Sequence, residues 1–247
     1  MYHFILKRQE LVRDKEGYCD WQAKEEKVQV KPEQTAVIIV DMWNEHWCKG
    51  ATARGKPLAD KINETACRAR EQGSLIVHAP SDTMDFYKDY SARKRLTAVS
   101  VLDHIPSLEI KDYPQPIDSS DGGSDTIQDH APNTIVWTRQ SDKIYIDDSK
   151  DIICGENDGD LVYSYLKAQN INTVIYMGVH TNMCILHRPF AIKAMLRRGM
   201  GTILCGDLTD CMYNPAMPPY VSHDEGTRLI IEYIEKFYCP TISSYQI

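Results

Sequence analysis

A cysteine that opens a helix directly behind a buried strand is placed to act as a nucleophile. One stretch of this chain has that form: Met177-Gly178-Val179-His180-Thr181-Asn182-Met183-Cys184. The apolar run from Thr173 to Met177 reads as a strand. Gly178 permits a sharp turn, and Thr181 reads as an N-cap that sets Asn182, Met183 and Cys184 in a first helical turn. There the thiol would face free backbone N–H groups and the positive end of the helix dipole, which favours thiolate and lowers the pKa. The same N–H groups suit an oxyanion formed when the sulfur attacks a carbonyl. A free cysteine is more often a small core residue, so its partners decide. Asp41 follows the apolar run Thr35 to Val40. It either caps the next segment or takes the thiol proton across neighbouring strand ends.

The elements that must position these groups alternate. The run from Thr35 to Val40 is unbroken and apolar, as in a strand covered on both faces of a parallel sheet. A helix over roughly 56–72 follows, with Leu58, Ile62, Ala66 and Ala69 on one face and Gly73 at its end. Further strands are predicted at Ser74–Val77, Thr134–Trp137, Thr173–Met177 and Gly201–Cys205, with Thr241–Ser243 as a closing edge strand. Further helices are predicted near Met84–Val101, over Asp158–Gln169, from Cys184 towards Arg198 with a kink or restart at Pro189, and over His223–Phe237. The pattern implies an α/β fold: an open, mostly parallel sheet of about six strands with helices on both faces, a Rossmann-like three-layer arrangement. Sites in such sheets lie beyond the carboxyl ends of the strands, where Asp41, His78, Arg139 and the Gly178–Cys184 turn fall.

Residues 1–247 read as a single domain, with 1–34 as an N-terminal arm in the form of a hairpin and 111–133 as a loop insertion. That loop holds Asp118-Ser119-Ser120-Asp121-Gly122-Gly123-Ser124-Asp125. Its oxygens alternate as in a calcium loop, but no glutamate follows at EF-hand spacing, so it reads as a flexible acidic loop. The net charge of −7 and the lack of a dense basic run argue against nucleic acid and anionic membrane as partners. No apolar run approaches membrane-spanning length. The eight cysteines form no C-x-x-C pair, which points to reduced thiols in a reducing compartment such as the cytoplasm. A removed export signal stays open.

The segment Ala36-Val37-Ile38-Ile39-Val40-Asp41-Met42-Trp43-Asn44 and the turn Gly178-Val179-His180-Thr181-Asn182-Met183-Cys184 together resemble the isochorismatase-like cysteine hydrolases. The first is similar to that family's first strand with its Asp-x-x-Asn, the second to its Gly-Val-x-Thr-x-x-Cys turn. The resemblance spans roughly residues 35–244. It implies a catalytic triad of Asp41, Lys150 and Cys184, with Lys150 placed by its distance from the helix near Asp160, and Lys143 as its rival. It also implies a non-proline cis peptide at Val179–His180 that aims the backbone N–H groups of His180 and Cys184 at a substrate oxyanion. The expected activity is hydrolysis of a small-molecule amide-type C–N bond through a thioester. The alternatives are vinyl-ether hydrolysis, as by isochorismatase itself, and a non-catalytic small-molecule-binding protein on the same fold. Trp43, Trp47, His180, Arg139, Arg188 and Tyr213 are the candidate substrate-pocket residues. One branch of the family binds a metal through Asp-x-His, but this chain has His78-Ala79-Pro80-Ser81-Asp82 there. No metal and no cofactor are therefore expected; His46, His78 and Asp82 are the residues from which a different metal site would be built. Family members commonly assemble, so a homo-oligomer is expected.

Overall fold

Every residue of β3 (Thr35–Val40) is fully buried. The run carries no charge because it is an inner strand of a sheet covered on both sides. The structure is a computed structural model and describes residues 1–127 and 129–247; position 128 of the 111–133 insertion lies outside the described residues. The other strands are β1 (Tyr2–Arg13), β2 (Cys19–Val30), β4 (Leu75–Ala79), β5 (Ile152–Ile153), β6 (Thr173–Val179), β7 (Gly201–Asp210) and β8 (Thr241–Ile242). They form one sheet of eight strands in the order β2-β1-β8-β7-β6-β3-β4-β5. The pairs from β8 to β5 are parallel, and β1 runs antiparallel to both β2 and β8.

Alternation along each strand divides the core. Val37, Ile39, Ile76, Ile175 and Met177 face α1 (Lys49–Glu71) through Ala59, Ile62, Ala66 and Ala69. Ile38, Val40, Val77, Val174 and Tyr176 face the opposite layer, into which α3 (Ser91–Thr97), α4 (Gly159–Ala168), α5 (Cys184–His187), α6 (Ile192–Arg197) and α7 (His223–Phe237) insert Leu96, Leu166, Leu186, Met195 and Ile234. The short α2 (Met84–Tyr87) packs Tyr87 against Ile153. Among the described residues, no helix is long and apolar enough to cross a membrane.

Three sequence expectations change, and the expected break at Pro189 is present. The 1–34 arm is a hairpin, but it extends the sheet as β1 and β2, giving eight strands where about six were expected. The segment Thr241–Ile242 is not the edge, because β1 pairs outside it. Pro189 ends one helix and a second restarts at Ile192. Finally, Thr134–Trp137 is no strand. Its neighbour Gln140 makes one isolated bridge to Trp43, and the sheet position beside β4 belongs to Ile152–Ile153. The apolar side chains of that run serve a cavity wall, as described below.

The chain moves from β3 out to β4 and β5, then returns to lay β6 on the other side of β3. This reversal opens a crevice between the carboxyl ends of β3 and β6. Gly178 lies opposite Val40 there, with φ of +111°, and an added Cβ would sit 2.1 Å from the Val40 carbonyl oxygen. Gly178→Ala is therefore expected to destabilise the fold by about 3 kcal/mol. Chemical denaturation checks this, and an unchanged midpoint would mean the strand ends separate freely.

Candidate active site

Asp41 is the first residue past β3, held in the left-handed region at φ +48° and fully buried. Its N–H donates to the Ala79 carbonyl at 3.0 Å, which ties it to the end of β4. Its Oδ1 accepts the Ser81 N–H at 2.9 Å, and Arg188 Nε approaches Oδ2 at 3.4 Å. The Cys184 thiol lies beside the same carboxylate, near enough for each group to shift the other's proton affinity. The two groups thus meet across adjacent strand ends.

Burial pushes the Asp41 pKa up, opposed by the Arg188 charge and by hydrogen bonds from Cys184 and Ser81. Burial also pushes the Cys184 thiol well up, and the neighbouring Asp41 carboxylate adds to this, with Arg188 opposing. The lowered thiol pKa expected from the sequence is therefore corrected. The helix starts at Cys184 itself and runs for only 4 residues, so few peptide dipoles align behind the sulfur, while a buried carboxylate lies beside it. Thr181 is no cap: its hydroxyl bonds that of Thr209 at 2.7 Å, and Met183 holds the N-cap position.

The Val179–His180 peptide is cis, as the resemblance implied. The His180 N–H is directed at the Cys184 sulfur. Among the described residues, no backbone carbonyl takes the N–H of His180 or of Cys184. The Cys184 N–H is thus without a backbone acceptor, and the His180 N–H is turned to the sulfur itself.

The sulfur opens into a cavity of about 240 Å³ lined by Trp43, His46, Trp47, Trp137, His180, Met183, Arg188 and Met212, with Asp82, Gly122, Asn133 and Ile135 at its margin. Trp43 and Trp137 stack at 4.1 Å between centroids, and His46 lies parallel to Trp137 at 5.6 Å. Trp43 is anchored by its indole N–H, which donates to the Ser81 carbonyl at 2.9 Å. Part of this wall comes from the 111–133 insertion, whose acidic run is tied down. Asp125 pairs with Arg54 at 2.6 Å, and Arg54 also binds Asp210 at 2.9 Å. Asp210 in turn contacts His223 Nε2 at 2.9 Å. The Asn182 side chain clamps the Met212 backbone through both its N–H and its carbonyl, at 2.9 and 2.8 Å.

Trp43, Trp47, His180 and Arg188, singled out in the sequence, all line the cavity. Arg139 and Tyr213 do not. Arg139 lies over the Phe86 ring outside it, and Tyr213 is fully buried with its hydroxyl donating to the Met217 carbonyl. Lys150 is also displaced. It precedes β5, pairs with Asp147 at 3.7 Å with its side chain 70% exposed, and borders Gly73, Ser74 and Leu75 at the amino ends of the strands. Asp41 and Cys184 lie at the carboxyl ends, so Lys150 cannot complete their triad. Lys143 pairs with Asp60 at 2.6 Å and does not reach them either. The cation beside Asp41 and Cys184 is Arg188.

His46, His78 and Asp82 do not converge. His78 is fully buried, with Nδ1 at 3.1 Å from Gln140 Oε1 and Nε2 at 3.1 Å from Asp151 Oδ2, while Asp82 pairs with Arg188 at 3.7 Å. These residues do not fit a metal site, and no group of three His, Cys, Asp or Glu among the described residues is arranged for one. Sequence reading missed Trp137, Met183 and Met212. Trp137 had a signal, an aromatic closing an apolar run just before a polar stretch, but that signal equally suits a strand.

No family model matches the chain, and no curated protein matches it either. Solved structures do. A cysteine hydrolase from Pseudomonas syringae pv. phaseolicola superposes with a TM-score of 0.54 at 17% identity, covering 88% of this chain and 92% of that one. An isochorismatase from Pseudomonas putida gives 0.53 at 10% identity, covering 88% and 92%. An isochorismatase family protein from Burkholderia thailandensis gives 0.51 at 12%, covering 87% and 94%. The chain has the isochorismatase-like three-layer α/β fold.

Proposed function

We propose that this protein is a cysteine-dependent hydrolase of small-molecule amide-type C–N bonds, working through Cys184, Asp41 and Arg188. The observation that carries this reading is a thiol beside a buried carboxylate at an aromatic cavity, with two backbone N–H groups next to it that no backbone carbonyl takes. Cys184 Sγ attacks the substrate carbonyl carbon while its proton passes to Asp41. The N–H groups of His180 and Cys184 receive the resulting oxyanion. Collapse expels the amine, which takes the proton from Asp41 and leaves a thioester. Water then attacks the thioester carbon, giving its proton to Asp41 and on to the departing sulfur. Arg188 stays protonated throughout, since a guanidinium does not release its proton in proteins. Its part is to balance the single negative charge that Asp41 and Cys184 share. The experiment that tests the reading is ammonia or amine release from a panel of small amides.

A thiol whose pKa is held high is deprotonated only as it reacts. Alkylation of Cys184 by iodoacetamide is therefore expected to be slow near neutrality and to keep rising as pH passes about 9. Timed alkylation followed by peptide mapping reads this. A flat rate between about pH 6 and 8 would instead mark a preformed thiolate.

A further inference from the structure

His180 is only 3% exposed, and neither of its ring nitrogens makes a hydrogen bond of full geometry among the described residues, although the Asp210 backbone lies near enough to favour a proton on the ring. The ring lines the 240 Å³ cavity that holds Cys184 and also a smaller adjoining one of about 40 Å³. Its neighbour His46 meets it edge-on at 5.0 Å, a packing contact that satisfies neither nitrogen. Trp137, in the same wall, also keeps an unpartnered buried indole N–H. Buried polar atoms are rarely left this way, and a site that presents them unpaired is built to be completed by a ligand.

We propose that His180 is a specificity-determining residue: its ring binds a second, uncharged polar group of the substrate, one offering both a donor and an acceptor, such as a carboxamide. This rests on the hydrolase reading, in which the first amide is at Cys184. A neutral imidazole presents one N–H and one lone pair, which matches an amide edge. Burial holds the His180 pKa down to about 4 against the opposing Asp210 carboxylate, with Arg54 and His223 adding to the lowering, and burial likewise lowers His46 to about 3. Both rings are therefore neutral near pH 7, and the subsite favours an uncharged group. The stacked Trp43 and Trp137 rings beside it suit a flat scaffold carrying the two amides.

Calorimetry on the full-length Cys184→Ala protein with benzamide and isophthalamide tests this. Isophthalamide is expected to bind about tenfold more tightly. In the Cys184→Ala/His180→Leu protein that preference should shrink to about twofold or less, and His180→Gln, which keeps a donor and an acceptor, should restore much of it. Should the leucine variant lose its circular-dichroism spectrum, His180→Phe replaces it. Equal affinity for the two probes in the Cys184→Ala protein would overturn the proposal, as would a preference that survives loss of the imidazole. Ammonia release from the two amides by the unaltered enzyme is scored separately. A preference that depends on His180 without any turnover would retire the hydrolase reading and leave the subsite standing; turnover without the preference would do the reverse.

Discussion

Asp41→Asn is expected to lower amide turnover by about 10²–10⁴-fold while making Cys184 easier to alkylate at neutral pH. In the proposed mechanism the two effects oppose each other because Asp41 does two things to the sulfur. As base and acid it carries the proton from thiol to leaving amine, a task an amide side chain cannot perform. As a charge it holds the thiol protonated, because a second negative charge beside a buried carboxylate is unfavourable. Asparagine removes both, leaving Arg188 to draw the thiol pKa down. Its amide oxygen can still accept the Ser81 N–H that Asp41 Oδ1 takes at 2.9 Å, so the turn after β3 keeps its tie. Parallel measurement of amide hydrolysis and iodoacetamide labelling separates the roles. A fall in both would point to general disruption of the strand end.

Arg188→Met should be costly for stability as well as activity, whereas Lys150→Ala should change neither. Asp41 is fully buried, and Arg188 is the cation paired with it. Removing one partner of a buried pair costs roughly 3–5 kcal/mol, because the other charge is left stranded. The loss should depend on pH. The folded-state pKa of Asp41 already lies above its ordinary value, and losing Arg188 raises it further. The folded protein then binds the proton that the unfolded chain has released, so variant stability falls as pH rises through that window and recovers on acidification. Lys150 is exposed, and its removal should stay within about 0.5 kcal/mol with turnover unchanged. Urea titrations at two pH values, with activity alongside, decide the matter. A large activity loss in Lys150→Ala would return the catalytic cation to the lysine.

What could be read from sequence was what one property alone dictates. The unbroken apolar runs of β3 and β6 read as covered strands and put Asp41 and the Cys184 turn beyond strand carboxyl ends; the sheet order makes those two strands neighbours. The helix at His223–Phe237 kept its sequence-predicted bounds, since Ser222 caps it by accepting the Glu225 N–H. Legibility failed where one pattern serves two purposes. Val136 and Trp137 look like strand residues, yet they are apolar because they pack around Trp47 and Trp43 at the cavity. Lys150 is singled out in the sequence by its distance from the helix near Asp160, whereas the strand at Ile152–Ile153 puts it at the amino ends of the sheet. Arg188 stood four positions after Cys184, a spacing that brings two helical side chains to one face. Its pairing with Asp41 required the strand order, which no local pattern carries. Tyr213 reads from sequence as a pocket residue, but its ring lies against Gly226, where an added Cβ would come within 2.4 Å of it.

The covalent role of Cys184 is the claim on which the rest depends, and Cys184→Ser tests it most directly. The hydroxyl fits the space and can bond Asp41, so the fold should persist by circular dichroism and thermal melting. It is a far weaker nucleophile at neutral pH. On any amide that the unaltered enzyme hydrolyses, the serine variant should lose at least about a thousandfold in turnover. Undiminished hydrolysis by a folded Cys184→Ser protein would contradict covalent thiol catalysis outright and favour a vinyl-ether type of chemistry, in which the cysteine is dispensable.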